Sequence, residues 1–485
     1  MRKSRSSPGY KVMKDEEVIR IHESALKVLE KTGVFVDCDE AIDLLGAAGA
    51  QVNRGTKIVR FPKNLVEQAL AACPCEFSLF NREGDEEYPL DDAALYFDPG
   101  SCGVNVLDAS GQVRSSTGQD LTRIAKLCDA LPHFAFNSTA VYASEAPKVV
   151  GDSYRVYLVL KNSSKPVITG AFSIEGVKDM LDLLCAVCGG EEQVRTKPRA
   201  VFDVCPSPAL KWTEISAKNI IDCARLGLPV ELISMPMPGA ASPATLAGSI
   251  VQHTAESLSG IVLAQVASPG AKVIWGGAPV VFEMRYGTTP ASAVEAAMMG
   301  AATAQIGRFY GLPTHTYAAL SDSKAVDVQA GLESALSGLI AALGGNTIIS
   351  GPGMVEFIRT VSLEKLLIDH EIAGMIKRLV KGITMNDETL AVDVLASLGP
   401  GGDFLTADHT LRWCRKEIHV PGPVIDRRDR QAWSAEGSKD ALTKAKEEVD
   451  RILAEHTPRP LSPEREAALD EVMKEIAARH GVPWK

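Results

Sequence analysis

From about residue 93 to residue 380 the chain repeats one pattern: a short β-rich run ending in Gly, Pro or Ser, followed by an amphipathic helix. The β runs are ALYFDPG, FAFNSTAVYA, KPVITGAF, PRAVFDVCPS, PVELISMPMPG, KVIWGGAPVVF, PTHTYAAL and NTIISGPGM. Helices are predicted near 119–130, 149–161, 175–188, 213–226, 243–267, 290–310, 327–343 and 362–380. Eight such units in series are the count of a closed α/β (β/α)8 TIM barrel. A doubly wound open sheet is the alternative, but no G-x-G-x-x-G follows the first strand and nothing marks a sheet reversal. Ser242-Pro243 and Thr289-Pro290 each read as an N-cap followed by proline at the first helical position, and Ser362 reads as the cap of the last barrel helix.

The flanks differ from the barrel. Residues 1–92 mix short elements into an N-terminal α+β cap: a helix over EEVIRIHESALKVLEKTG that stops at Gly33, a second at 38–48, a strand KIVRFP and a helix KNLVEQALAA. Residues 93–380 form the catalytic barrel. Residues 381–485 form a C-terminal helical extension, whose last helix carries an apolar stripe at Ala467, Leu469, Val472, Met473 and Ile476 and is expected to pack across the barrel or a neighbouring subunit.

At 485 residues the chain exceeds the ~100–200 usual for one domain, which barrels with additions routinely do. A formal charge of −10 without a Lys/Arg run gives no footprint for nucleic acid. The N-terminal stretch is charged without an apolar segment and does not read as a secretory signal. The longest apolar helix, 243–267, carries Gln252, His253 and Glu256, which a membrane span tolerates poorly. A cytoplasmic protein with no membrane partner is expected. The ten cysteines look like reduced thiols. Cys185/Cys188 and Cys73/Cys75 lack the further ligands of a zinc site, so no tightly bound metal is expected.

In such barrels the working residues sit at the C-terminal ends of the strands. Those ends hold Asp98 and Ser101, Tyr142 and Glu145, Thr169 and Phe172, Cys205 and Ser207, Met235 and Met237, Trp275, His315, Tyr317, Asp322 and Lys324, and Ser350, Met354, Glu356 and Phe357. No G-x-S-x-G elbow and no H-E-x-x-H is present, and neither Lys165 nor Lys324 stands where a Schiff-base lysine would. The aromatic and sulfur-rich set suits a methylated cation held by ring faces, or plain core filling.

Ordered blocks along nearly the whole chain resemble the trimethylamine methyltransferase family, in its non-pyrrolysine branch that includes glycine betaine:corrinoid methyltransferases. They are HESALKVLEKTGVFV, VRFPKNLVEQAL, VNVLDASGQVRSSTGQDLTRIAKLCDAL, CPSPAL, SMPMPGAASPATLAGSIVQHTAESLSG, SDSKAVDVQAGLES and DFLTADHTLRWCRKEIHVPGPVIDRRDRQAW. The resemblance implies transfer of a methyl group from a methylated amine to the Co(I) form of a corrinoid (cobalamin) carried by a separate small corrinoid-binding protein. It also implies a homo-oligomer. Trimethylamine-using members carry pyrrolysine, whereas this sequence shows only standard residues. The implied substrate is therefore a quaternary amine, with glycine betaine first and other betaines equally compatible. A non-catalytic barrel that binds a small cation or a corrinoid is the alternative.

The same resemblance suggests roles. Tyr96, Phe172, Trp275, Tyr317 and Phe357 are candidates for an ammonium box. Asp98 or Glu356 would offset the charge or cap a loop. His315 or Arg308 would receive a betaine carboxylate, unless His315 is a hydrogen-bonded core histidine. Asp322 and Lys324 would order their turn against each other. Gly351, Gly353 and Met354, in SGPGM, would face the corrinoid. No residue is assigned a catalytic role.

Overall fold

Eight parallel strands, rich in Val and Ile because both faces are covered, close on themselves without an edge. In the computed structural model, which describes residues 9–484, they are β1 (Tyr96–Asp98), β2 (Asn137–Ser138), β3 (Val167–Gly170), β4 (Ala200–Val204), β5 (Val230–Ser234), β6 (Val273–Gly277), β7 (His315–Tyr317) and β8 (Ile348–Ser350). The first eight residues of the N-terminal stretch weighed above as a signal lie outside the described residues. Strands β2 to β6 pair in sequence order, and β7 pairs β8, which pairs β1. The parallel bridge Trp275–Thr314 joins β6 to β7, and the amide of Ala135 donates to Phe97 O at 2.9 Å, joining β1 to β2. The chain is a (β/α)8 barrel.

The helices follow the strands in alternation: α1 (Gly118–Ala130), α2 (Gly151–Asn162), α3 (Gly176–Cys188), α4 (Glu214–Leu226), α5 (Leu246–Ala267), α6 (Val294–Tyr310), α7 (Val328–Gly344) and α8 (Leu363–Lys381). Ser362 caps α8 as expected, accepting from the amide of Lys365. The two Pro-marked starts lie three to four residues too early. Thr245 caps α5, while the Ser242 hydroxyl is taken by Ser249 at 2.6 Å. Before α6, the Asp322 carboxylate accepts the amides of Ala291 (3.1 Å) and Ser292 (2.9 Å) and holds that stretch out of the helix.

The barrel interior is layered. At the N-terminal end Phe136, Ile168, Val201, Ile274 and Ile348 pack with Leu79 and Leu90, so the hairpin of Ser78–Phe80 with Glu87–Pro89 plugs that end. One strand turn higher, the interior positions become polar: Asp98, Ser350, His315, Glu231 and Asp203.

The flanking segments brace the outside of the barrel. Helices Asp15–Lys31 and Lys63–Ala72 lie along α5, and Val34–Val36 adds a strand to Lys211–Trp212, in the loop after β4. Helix Ala441–Glu455 lies on α8 and α1, and helix Pro463–Arg479 on α2 and α3. Leu469, Met473 and Ile476 of the expected stripe are buried there, and the Tyr157 hydroxyl donates to Asp470 at 2.7 Å.

Leu79 is fully buried in the plug. Leu79→Ala is expected to cost about 2–4 kcal/mol of unfolding free energy by urea titration.

Candidate active site

A cavity of 390 Å³ opens at the C-terminal end of the barrel. Its wall is mostly apolar, with Ala171, Val204, Ile215, Ile233, Met235 and Ile358, and the aromatic rings facing it are those of Phe172 and Tyr317. The polar lining comes from Ser101, Thr139, Asp203, Thr213, Ser216, Asn219, Arg155 and two thiols, Cys102 and Cys205. Beneath lies the polar layer, which the cavity meets at Asp203 and Tyr317.

The hydrogen bonds of that layer form one chain with a single direction. The Ser350 hydroxyl donates to Asp98 Oδ1 at 2.6 Å, so at 2.7 Å it accepts from His315 Nε2–H. The proton on Nε2 leaves Nδ1 bare. Nδ1 touches Glu231 Oε1 without the alignment of an N–H···O bond. A bare imidazole nitrogen against a carboxyl oxygen is stable when the carboxyl carries the proton. Glu231 is cross-strand partner to Asp203, and the two carboxyls meet. Asp203 Oδ1 and both Glu231 oxygens find no N–H or O–H donor, so Asp203 carries a second carboxyl proton that bridges the pair, beside the one Glu231 turns to Nδ1. On the other side Asp203 Oδ2 accepts from the Tyr317 hydroxyl at 3.4 Å, and Tyr317 in turn pairs with Ser101 at 2.6 Å. The order runs Ser101, Tyr317, Asp203, Glu231, His315, Ser350, Asp98.

The electrostatics agree with this proton count. Burial pushes Glu231 up to about 8, against a hydrogen bond from Asp203 that pulls the other way. Burial first, and the neighbouring Glu231 charge second, raise Asp203 well above the usual carboxylate range. Asp98 is raised by burial against the Ser350 bond. Burial holds His315 down to about 4, with Asp203 opposing.

On one side of the cavity stands Arg155, buried on α2. It pairs with Asp152 at 3.0 Å, donates to Cys102 Sγ at 3.3 Å and lies 5.3 Å from the Phe172 ring centre. Asp152 also accepts the Phe172 amide at 2.6 Å, which fixes the rim on that side.

The expected site residues are brought together only in part. Asp98, His315 and Tyr317 belong to the polar chain. Phe172 stands on the rim, 60% exposed. Tyr96 is at the opposite end of the barrel, its ring against Tyr88 and Phe136 and its hydroxyl donating to Pro89 O at 3.0 Å. It begins β1, whereas Asp98 ends it. Trp275 points outward from β6 into the helix layer, donating to Thr303 O at 3.0 Å and packing edge-on to His253 and Tyr310. Arg308 lies at the C-terminal end of α6 beside Gly345, at the far end from the cavity. Glu356 caps its own turn by accepting from Thr360 at 2.7 Å. Phe357 lies under the Lys324 ammonium, 4.1 Å from ring centre to Nζ, and Lys324 donates to Asp322 O at 2.7 Å.

Gly351, Gly353 and Met354 do not face outward, which corrects their expected role toward a corrinoid. All three are buried. A Cβ on Gly351 would strike Ala318 O, Gly353 packs on Leu366, and Met354 fills the space over Gly100. These glycines let chain approach chain.

Asp203, Glu231 and Arg155 are absent from the expected set. For the two acids a signal existed: AVFDV and VELIS each carry one carboxylate inside an otherwise apolar, doubly covered strand. Attention to strand ends passes over them. Arg155 reads as an ordinary helical charge.

Comparison with known proteins decides the family. The trimethylamine methyltransferase (MTTB) family model matches residues 2–480. The chain belongs to that family. Among its relatives, trimethylamine methyltransferase MttB of Desulfitobacterium hafniense is 36% identical, over 96% of this chain and 94% of the relative. The glycine betaine methyltransferase of another strain of that species is 32% identical, over 95% and 96%. The crystal structure of the Methanosarcina barkeri monomethylamine methyltransferase MtmB superposes with a TM-score of 0.51 at 13% identity, covering 99% of this chain and 97% of that one, and so shares the fold. This family member is a methyltransferase enzyme. Among the described residues no helix is long and apolar enough to cross a membrane, and no three His, Cys, Asp or Glu side chains are grouped to hold a metal ion.

The buried acids and bases set opposite pH limits on stability. The unfolded chain ionises Glu231 from 4.5 upward while the fold keeps it protonated to about 8, so stability present below 4.5 is lost as pH rises through that window. His253 and His315 are held down to about 4, and His370 to about 3, chiefly by burial. The unfolded chain protonates them below 6.5, and stability falls as pH drops from there. Urea midpoints measured between about pH 5 and about pH 8 should therefore decline on both sides, and Glu231→Gln should flatten the alkaline limb while sparing the acid one.

Proposed function

We propose that the enzyme demethylates a quaternary amine, glycine betaine or a related betaine, by passing one methyl group to the Co(I) centre of a corrinoid held on a separate small protein. The observation that carries this reading is the cavity itself. It is an apolar chamber with two aromatic rings and no activated nucleophile, set over a layer of acids already bonded to one another.

The chemistry asks little more. A Co(I) corrinoid is a strong nucleophile that attacks the methyl carbon in line, so the barrel has to orient an N-methyl group and exclude water. A quaternary nitrogen leaves as a neutral amine. Trimethylamine, named for several relatives, would first have to be made a cation, and this chain is written in standard residues only. The Phe172 and Tyr317 rings offer electron-rich faces to a methylated cation, worth about 0.5–2 kcal/mol per good contact. The corrinoid protein would cover the open end of the barrel, and the enzyme would work as a homo-oligomer in the cytoplasm.

The direct test mixes the protein with a Co(I) corrinoid and a panel of betaines, choline and trimethylamine. Growth of methyl-cobalt absorbance with stoichiometric demethylated amine is expected for at least one quaternary amine. Turnover of trimethylamine alone would refute the substrate class. Phe172→Ala should raise KM by roughly tenfold with a smaller change in kcat, because it removes a contact made equally to ground and transition states.

A further inference from the structure

Loss of a methyl group from a quaternary nitrogen creates a basic tertiary amine in a chamber that must be dry for the transfer. The N–CH3 bond breaks, and the methyl carbon is bonded by the electron pair of the Co(I) nucleophile. The C–N pair stays on nitrogen, which at neutral pH takes up one proton. With the open end covered by the methyl acceptor, a proton delivered before the amine is released has to come from the chamber wall.

Resting on the demethylation reading above, we propose that the hydrogen-bonded pair Asp203–Glu231 is the proton store for the departing amine, with Asp203 the catalytic acid. Three observations converge on it. Asp203 lines the cavity, and its partner Glu231 lies wholly beneath it. Asp203 Oδ1 and both Glu231 oxygens lack any donor, so the pair holds a transferable proton that no N–H or O–H of the chain has claimed. The pair also sits mid-chain between Tyr317 and His315. When Asp203 gives up its proton, the Tyr317 hydroxyl already points at Oδ2, so the new negative charge is met by a donor in place. After the protonated amine leaves, one solvent proton restores the pair.

The other titratable and charged groups around the pair do not offer this. Asp98 is two links beyond His315 and holds the Ser350 hydroxyl. His315 presents its only proton to Ser350. The thiols of Cys102 and Cys205 are pushed up by burial. Arg155 is engaged by Asp152.

Calorimetry on the full-length protein, without any corrinoid, tests the pair through proton linkage. N,N-dimethylglycine, bound as its ammonium form, carries an N–H whose charge-assisted acceptor would be the pair after loss of one proton; glycine betaine carries none. Titrations near neutral pH in two buffers of different ionisation heat should show release of about one proton per dimethylglycine bound, and clearly less for glycine betaine. Asp203→Asn should abolish the difference, and Glu231→Gln should shift the pH at which it appears. Equal proton counts for the two ligands on the wild-type protein would overturn the proposal even if neither variant folds. So would a difference that persists in Asp203→Asn. A proton difference as expected, together with no demethylation by any corrinoid, would leave the pair as an amine-linked proton exchanger and sink the reading of function instead.

Discussion

Two carboxyl groups on neighbouring strands, with no donor of the chain between them, impose a constraint that the rest of the site obeys. Asp203 and Glu231 are cross-strand partners in the barrel interior, and at short range in a low-dielectric core they cannot both be ionised. A proton between them resolves the conflict and fixes the state of everything joined to the pair. Glu231 turns its second oxygen to His315, so the imidazole stays neutral with its proton on Nε2. Ser350 then accepts that proton and donates its own to Asp98. The carboxyl protons of the pair therefore set the direction of a chain of seven side chains drawn from five strands and the loop after β1.

That arrangement also accounts for the layering of the barrel. A (β/α)8 interior is filled by side chains, and a filling made only of Val, Ile and Leu would be the more stable one. Here the apolar layer is confined to the plugged end, around Leu79, Phe136, Ile168, Val201, Ile274 and Ile348. The polar layer lies above it, two residues further along on β4 (Val201 to Asp203) and β8 (Ile348 to Ser350). The chemistry is thus placed against the wall of the chamber while the apolar floor below excludes water from the other side.

How much of this the sequence discloses follows from what governs each feature. The strand and helix succession is local, dictated by hydrophobic period and by glycines and caps, and all eight units stand where the pattern puts them. Two helix starts do not, because Asp322 reaches in from the loop after β7 and Ser249, in the first turn of α5, binds Ser242 and Pro243 O, which holds the Pro-marked residues outside the helix. Facing is the harder matter. His315 and Tyr317 share the interior face, as alternation requires, with ring centres 5.2 Å apart. Tyr96 and Trp275 have the right residue type at the wrong height or on the wrong face, and a strand only three to five residues long gives little basis for assigning either. Asp203 and Glu231 were legible in principle, since a carboxylate inside a doubly buried strand demands a partner. What no single strand reveals is that the partner of each is the other.

The loops of the open end carry most of the backbone strain. Among the described residues nine non-glycine positions have left-handed φ, and six of them, Cys102, Leu210, Ala319, Glu356, Phe357 and Ile358, follow the C-terminal ends of β1, β4, β7 and β8. Each costs about 1–2 kcal/mol against an ordinary conformation, and a β-branched residue such as Ile358 is among the least suited to it. Such conformations persist when surrounding contacts over-determine them. Three of the six are consecutive, at Glu356–Ile358, and their contacts are specific: Glu356 is tied to Thr360, Phe357 lies under Lys324, and Ile358 lines the cavity. Phe357 braces the loop after β7 through Lys324, while Ile358 lines the chamber that Asp203 and Tyr317 also line. The strained turn thus carries both a brace for the loop after β7 and an apolar part of the chamber wall.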